Sequence, residues 1–254
     1  MFRKNFKLYK QCMAGMLISM ITWANLTGCT SYKDKGVETT YLETYFSDTD
    51  VSKSFIQHLE YQNMSEDGLV RVSELYCTAH SFNLVLEMEG AHLLGKEIDI
   101  SVISDFAEKL SGASSVLISD RVIDENEQKR VVLVTGNSVD EWSDSLSLEI
   151  VIGDLTYDFT IPIEKFDKGK EFSVQTPFKA DIYMDVNSMV LTSAGPQIDI
   201  HKITVDQDGE KVLYEKGQTP GNVMNYDELD NIFSFLFIFE EPIDINGIDS
   251  IFVN

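Results

Sequence analysis

The chain has 254 residues, with 42 acidic side chains against 20 Lys and Arg, and its formal net charge at pH 7 is -22. This charge excludes the class of proteins that bind nucleic acid through its phosphates, because basic side chains are needed to neutralise those phosphates. Of the three cysteines, only Cys77 remains free after the processing described below, so the fold must depend on a hydrophobic core rather than on disulfides. Cys77 lies in an apolar run and is predicted to be buried.

Residues 1–28 have the order of an export signal. Four basic residues lie within the first ten positions, and no acidic residue occurs before Asp34. An apolar stretch then runs from Cys12 to Leu26. It is shorter than the about 20 apolar residues that a membrane-spanning helix needs, and a polar segment follows it. The order predicts a cleaved signal rather than a transmembrane segment.

The end of this stretch, Leu26-Thr27-Gly28-Cys29, resembles the lipobox of bacterial lipoproteins. The resemblance implies that diacylglycerol is attached to the sulfur of Cys29 and that a peptidase cuts between Gly28 and Cys29. Two acyl chains give stable anchoring where one chain is marginal. The expected location is the extracytoplasmic face of the cell membrane, reached through the lipid on Cys29. An ordinary secretory signal with a coincidental cysteine is the alternative.

The rest of the chain divides into a tether and strand-rich segments. Residues 29–48 are polar and lack a sustained period, which predicts a tether. Runs of period two then recur at intervals of roughly ten residues, and this spacing predicts an all-β fold of one or two immunoglobulin-like antiparallel β-sandwiches. The charged stretch EKFDKGKEF predicts a boundary, with a first sandwich at 49–165 and a second at 170–254.

Two stretches predict particular strands. In DGLVRVSELYC, period two places Val70, Val72 and Glu74 on one face. In IFSFLFIFEE, four phenylalanines from Phe233 to Phe239 share one face, and the other face is also apolar. A strand that is apolar on both faces is typical of the middle of a covered sheet. An aromatic ligand platform is the alternative interpretation of this stripe.

Helical signals are few. SDFAEKLSGASSV, which begins at residue 104, is the best helical or irregular segment. DTDVSKSFIQHLEYQ predicts a helical turn or two, because Val51, Phe55 and Leu59 recur at spacing four. Part of that second stretch also has the pattern of a strand.

The pair Asp208-Gly209 lies between alternating apolar positions and predicts a hairpin turn. A calcium-binding interpretation of Asp206, Asp208 and Glu210 is weaker, because a calcium loop supplies six or more oxygens from a longer run. We therefore predict a turn and no metal site in this segment.

Three stretches resemble the ectodomain of membrane-anchored proteins related to bacterial sigma-factor regulators. They are NMSEDGLVRVSELYCTAHSFNLVLEMEG, WSDSLSLEIVIGDLTYDFTIPIEKFD and the closing EEPIDINGIDSIFVN. In the second stretch, the pattern is carried by Tyr157, Phe159, Ile161, Pro162 and Ile163. The resemblance implies an immunoglobulin-like domain outside the membrane and no catalytic residues. Members of that family usually hold the sigma factor with a cytoplasmic segment. A lipid-anchored chain would leave no such segment inside the cell, so anti-sigma activity is not expected.

Enzyme signatures do not occur in the sequence. It contains neither a G-x-S-x-G nucleophile turn nor an H-E-x-x-H zinc motif, and with 42 acidic residues carboxylate pairs are expected by chance. Glu141, Trp142 and Asp144 suggest a sugar site, but a tryptophan ring is more often packed in a core. We predict no catalytic residue, no cofactor and no metal ligand.

The sequence thus predicts a non-enzymatic, lipid-anchored extracytoplasmic β-sandwich protein. We expect it to bind or sense an envelope component, either a partner protein or a polysaccharide. The alternative from another class is a hydrolase that acts on a glycan through an Asp/Glu pair, with two carboxylates about 5 to 9 Å apart in an aromatic-lined cleft. A calcium-stabilised adhesion module is a third and weaker interpretation.

Overall fold

The structure is a computed structural model, which describes residues 39–59, 64–103, 116–174, 179–194, 202–207, 209–215, 222–227 and 232–253. This part of the chain contains one short helix, one 3-10 turn and sixteen strands, and all pairs between these strands are antiparallel. The predicted all-β sandwich fold is confirmed. The elements are α1 (Tyr41–Tyr45), the 3-10 turn Lys53–Phe55, β1 (Gln57–His58), β2 (Val70–Cys77), β3 (Ser81–Glu89), β4 (Ile98–Val102), β5 (Val116–Glu125), β6 (Lys129–Ser138), β7 (Ser145–Ile152), β8 (Leu155–Pro162), β9 (Lys170–Val174), β10 (Ala180–Met184), β11 (Ser188–Ala194), β12 (Lys202–Gln207), β13 (Glu210–Glu215), β14 (Asn222–Asp227), β15 (Ile232–Ile238) and β16 (Ile248–Val253).

The first half, β1 to β8, is a sandwich of two sheets. One sheet has the order β1-β2-β3-β6-β5 and the other the order β4-β7-β8. Residues of both sheets share one buried cluster, as with Leu84 of β3, Ile150 of β7 and Phe159 of β8. On β7 and β8 every second residue is buried, because successive side chains of a strand point to opposite faces.

The second half, β9 to β16, repeats this arrangement. Its sheets have the orders β14-β15-β11-β10-β9 and β13-β12-β16. A second buried cluster joins them, with Leu191 and Phe235 from the larger sheet and Val205 and Ile251 from the smaller one. Five strands therefore face three in each half of the molecule.

Strand β15 lies between β14 and β11, within its sheet. Phe233, Phe235 and Phe237 are buried in the core that joins the two sheets. Leu236 and Ile238 are also buried, in a separate cluster on the other face. The prediction of a strand that is covered on both faces is confirmed, and the phenylalanine stripe is core packing rather than a ligand platform.

The helix α1 departs from the sequence prediction, which placed a polar tether through residue 48. Thr40 and Glu43 form a reciprocal capping box at its start, and Leu42 and Phe46 are buried. The carboxylate of Glu74 on β2 accepts hydrogen bonds from the backbone N–H groups at 41 and 42, at 3.2 and 2.8 Å. The helix is therefore part of the packed fold, and the tether prediction is wrong for residues 40–46.

Strand β2 also departs from strict period two. Its pairing with β3 shifts register between Val72 and Glu74, as in a β-bulge. Val70 and Val72 before the shift face the same core as Leu75 after it. Glu74 consequently faces helix α1, and its predicted position on the face of Val70 and Val72 is wrong.

The other local predictions have mixed outcomes. In the described part of the segment that begins with Asp48, the 3-10 turn Lys53–Phe55 is followed, after Ile56, by β1, so both a helical turn and a strand occur. The helical segment at 104–116 lies outside the described residues except for its last position. Strands β12 and β13 pair with Gln207 opposite Glu210, and Gly209 has φ +79°, which confirms the hairpin.

The predicted domain boundary between 165 and 170 falls between β8 and β9. The two main cores lie on opposite sides of it in sequence. Residues 40–254 nevertheless group as one compact unit. The division into two domains stays a prediction.

Candidate functional site

The two sandwiches meet at two turns. One joins β2 to β3 and contains Thr78 and His80, and the other joins β10 to β11 and contains Asp185 and Asn187. Hydrogen bonds link these turns across more than 100 positions of sequence. The junction between the halves thus contains a polar network, which lies beside apolar contacts such as those of Val139 with Leu236 and Ile238.

Asp185 is the centre of this junction and is fully buried. Its Oδ2 accepts hydrogen bonds from Thr78 Oγ1 at 2.6 Å and from Ser81 Oγ at 3.0 Å. Its Oδ1 accepts from the backbone N–H groups of Asn187 and Ser188, at 2.8 and 2.7 Å. Burial raises the pKa of Asp185 above its ordinary value, while these donors oppose the shift because they favour the ionised form.

Asn187 extends the network from this turn into the first sandwich. Its Nδ2 donates to Ser81 Oγ at 3.0 Å and to Asn83 Oδ1 at 2.6 Å. Asn83 in turn donates to Thr135 Oγ1 on β6 at 2.9 Å. Buried polar groups linked in this way fix one relative orientation, because each bond requires its own geometry.

Beside the network a groove of about 390 Å³ opens, and both halves of the molecule line it. The charged residues in its lining are three carboxylates, Glu141, Glu171 and Asp181. Asp181 accepts a hydrogen bond from Ser173 Oγ at 2.8 Å. The apolar and aromatic part of the lining includes Phe172, Ile182, Tyr183 and Val190. This combination of apolar walls with a few polar groups is typical of ligand sites.

His80 lies at the inner side of the groove and is only 8% exposed. Its ring meets that of Tyr183 edge to face, with centroids 4.8 Å apart. Burial lowers the pKa of His80, while the charges of Asp185 and Glu141 work against that change. The imidazole is therefore neutral at pH 7, and the net charge of the groove is negative.

The sequence did not single out this junction. Of the four histidines, His58 and His92 are exposed, His201 lies outside the described residues, and His80 alone faces the groove. The sequence feature that marks this junction is the set of polar residues Asp185, Asn187 and Ser188, which interrupts a mainly apolar stretch. An Asp-x-Asn pattern of this kind indicates a turn, but nothing local says what its side chains contact.

The residues that the sequence did single out are not brought together. Gly28 and Cys29, the predicted cleavage and lipidation positions, lie outside the described residues. Trp142 packs its ring on Phe82 inside the first core, with centroids 5.3 Å apart, so it is not an exposed sugar platform. Asp144 is exposed, and only Glu141 of this trio reaches the groove.

Cys77 is buried in the first core, as predicted. Burial, assisted by the charge of Asp185, raises the pKa of its thiol far above the ordinary value. A thiol in this state is a poor nucleophile, because the thiolate is the reactive form.

No group of three or more His, Cys, Asp or Glu side chains in the described ranges is arranged to hold a metal ion; Asp208 is not among them. Likewise, no helix in the described segments has the length and apolar character needed to cross a bilayer.

Comparisons with known proteins add little. No family model and no curated protein matches the sequence. A similar solved structure is that of a conserved domain protein from Bacillus anthracis, with 16% sequence identity and a TM-score of 0.45, and the match covers 80% of this chain and 78% of that chain. The likeness is too weak to carry an argument. The lipobox and the sigma-regulator ectodomain stay predictions from sequence.

Proposed function

We propose that this chain is a lipid-anchored, extracytoplasmic and non-enzymatic protein that binds a component of the cell envelope. The observation that carries the proposal is the groove beside His80, which is lined by both sandwiches. Its volume of about 390 Å³ lies within the range of about 300 to 1,000 Å³ that is usual for ligand sites. Because both sandwiches line the groove, its shape depends on their fixed relative orientation.

The charge of the groove supports a particular class of partner. Glu141, Glu171 and Asp181 are all acidic, and the buried His80 contributes no positive charge at pH 7. Tyr183 and Val190 supply surface for the aliphatic part of a long side chain. We propose that the groove receives a lysine or arginine side chain of a partner protein.

A short lysine peptide tests this proposal directly. We expect trilysine to bind the full-length protein at low ionic strength, with affinity that falls as salt is added. The double variant Glu141→Gln/Glu171→Gln should bind about tenfold more weakly, which corresponds to about 1.4 kcal/mol. The control Asp124→Asn/Glu125→Gln makes the same change in net charge at two exposed positions of β5. An equal loss of affinity in both double variants would mean that the peptide binds through the overall charge of the protein and not through the groove.

The anchor is tested by fractionation of cells. Cys29→Ala should move the protein from the membrane fraction to the soluble extracytoplasmic fraction, because the lipid holds it there. Cys12→Ala, which changes a cysteine inside the predicted signal, should leave the protein in the membrane. A Cys29→Ala protein that stays in the membrane would contradict the anchor.

A glycan-acting hydrolase that uses an Asp/Glu pair is the second candidate. The observation in its favour is the presence of three carboxylates beside Tyr183 in one groove, since glycosidases use two carboxyl groups that flank the scissile bond. Release of new reducing ends from purified envelope glycan, abolished by Glu141→Gln or Glu171→Gln, would favour the hydrolase. Absence of release, together with specific binding of trilysine, would favour the binding protein.

A further inference from the structure

A second and smaller cavity lies away from the acidic groove, where α1, β5, β6 and the end of β15 come together. On its β-sheet side, Leu117 is opposite Asn137, and Ser119 is opposite Thr135, in the register between β5 and β6. Residues at odd positions of both strands therefore share one face. Asn187 of the junction closes the cavity from the second sandwich.

The size of this cavity limits its ligand. Its volume is about 160 Å³. An engineered protein cavity of about 150 Å³ accommodates benzene. The cavity therefore has room for one six-membered ring, but not for two linked rings.

The lining has two chemical sides. Hydroxyls of Ser119 and Thr135 and amides of Asn137 and Asn187 belong to the lining, and Tyr45 supplies an aromatic surface. Thr135 and Asn187 already have partners within the protein, so the unmet hydrogen bonding of the lining falls on its remaining polar groups. A ring that has apolar faces and hydroxyls at its edge satisfies both sides.

Asn137 gives a second and independent indication of a ligand. It is only 2% exposed, and its Oδ1 accepts no hydrogen bond from the residues that the structure describes. Buried polar atoms normally have a partner. A hydroxyl donor from a bound molecule would supply it.

We propose that this cavity binds a single pyranose ring of a glycan, with ring hydroxyls donating to Asn137 and one ring face against Tyr45. Glu240 is exposed and belongs to the lining, so its negative charge disfavours acidic sugars. The ligand class is a neutral or amino sugar. This site goes beyond the function proposed above, because it uses neither the acidic groove nor a basic partner.

Saturation-transfer NMR with the full-length protein tests the site, since this method detects weak binding of small molecules. The probes are the methyl glycosides of glucose, N-acetylglucosamine and glucuronic acid, with tetrahydropyran as a ring of similar size that has no hydroxyl. We expect transfer to at least one of the first two glycosides, and about tenfold weaker binding of the acidic one. No transfer to any glycoside, or equal transfer to tetrahydropyran, would overturn the proposal.

Two variants locate the binding. Ser119→Trp fills the cavity from its exposed rim and should abolish the signal. Asp120→Trp, on the opposite face of β5, is the matched control and should keep it. Asn137→Leu keeps a similar shape but removes the acceptor oxygen, and it should weaken binding about tenfold. If Asn137→Leu fails to fold, Ser119→Trp still decides, because an unchanged signal in that variant would overturn the site. Trilysine binding is measured on the same samples, so that failure here is distinguishable from failure of the groove.

Discussion

Thr78 donates a hydrogen bond of 2.6 Å from its hydroxyl to the carboxylate of Asp185, and the two residues are 107 positions apart in the chain. One belongs to the first sandwich and the other to the second. The acceptor is fully buried, so water cannot replace the bond when it is broken. The stability of the junction therefore depends on a carboxylate inside the protein rather than on apolar contact alone.

Asp185→Ala should destabilise the protein strongly. The substitution leaves buried donors of Thr78, Ser81, Asn187 and Ser188 without their acceptor, and each orphaned group costs about 1–3 kcal/mol. We expect the free energy of unfolding in urea to fall by about 3 kcal/mol or more. Asp181→Ala removes an exposed carboxylate from the adjacent strand β10 and should change the free energy of unfolding by less than about 0.5 kcal/mol. A similarly small change in both variants would mean that the hydrogen bonds of Asp185 do not stabilise the fold.

Glu87 should make the stability fall in acid. It accepts 2.6 Å contacts from Arg71 and Lys129. Burial alone would raise the pKa of Glu87, but the hydrogen bonds from Lys129 and Arg71 hold it below its ordinary value. A carboxyl group whose pKa is lowered by folding stabilises the fold above its unfolded-state pKa of about 4.3. This stabilisation is lost as the pH falls through the folded-state pKa.

Glu87→Gln is therefore expected to cost about 1–2 kcal/mol at pH 7, because hydrogen bonds to a charged group are lost. The difference from the unchanged protein should shrink below about pH 4. Urea unfolding at several pH values measures this. Glu89→Gln changes an exposed residue at the end of the same strand, and its curve should follow that of the unchanged protein throughout. A constant difference for Glu87→Gln across the pH range would contradict the ion-pair explanation.

Gly136→Ala should disturb the core of the first sandwich. Gly136 pairs with Phe82 across β6 and β3, and a Cβ at this position would lie 2.1 Å from the Phe82 ring. The ring must move away, and overpacking of this kind costs about 1–3 kcal/mol. Thermal and urea unfolding measure the loss. In a Phe82→Ala background the same substitution should cost almost nothing, because the obstructing ring is gone. Equal costs in the two backgrounds would mean that the ring is not the cause.

Cys77 should resist alkylation in the folded protein. Its thiol is buried and its pKa is raised, so little thiolate is present and reagents cannot reach it. In a chain with Cys12→Ala and Cys29→Ala, mass spectrometry should find no iodoacetamide adduct at pH 8 until guanidinium is added. Glu127→Cys in the exposed turn before β6 should be labelled in the folded protein. Rapid native labelling of Cys77 would place the thiol outside the core.

Strands such as β15 could be predicted because their pattern is local. Phe233, Phe235 and Phe237 alternate with residues that are also apolar, and alternation alone decides which face each side chain occupies. The bulge after Val72 could not be predicted in this way, since a register shift depends on the partner strand. Helix α1 was missed although its signal was local, because Thr40 and Glu43 have the spacing of a capping box and Leu42 and Phe46 recur four positions apart. Its packing surface, which comes from β2, β3 and β6, could not be predicted locally.

The junction was missed for a stronger reason. Asp185 and Asn187 have the pattern of an ordinary turn, and the hydroxyls and amides that bind them come from the first sandwich, about 100 positions earlier. No periodicity within one segment records such a relationship. The groove follows from the junction, since its lining comes from both sandwiches and exists only when they are in place.

The polar junction has a consequence for how the two halves of the molecule move. Apolar contacts depend little on direction, whereas hydrogen bonds lose strength steeply when their angles change. A small rotation of one sandwich against the other would strain the bonds of Asp185 and Asn187 together. We therefore expect the two halves to turn as one body, so that the groove lined by both keeps its shape.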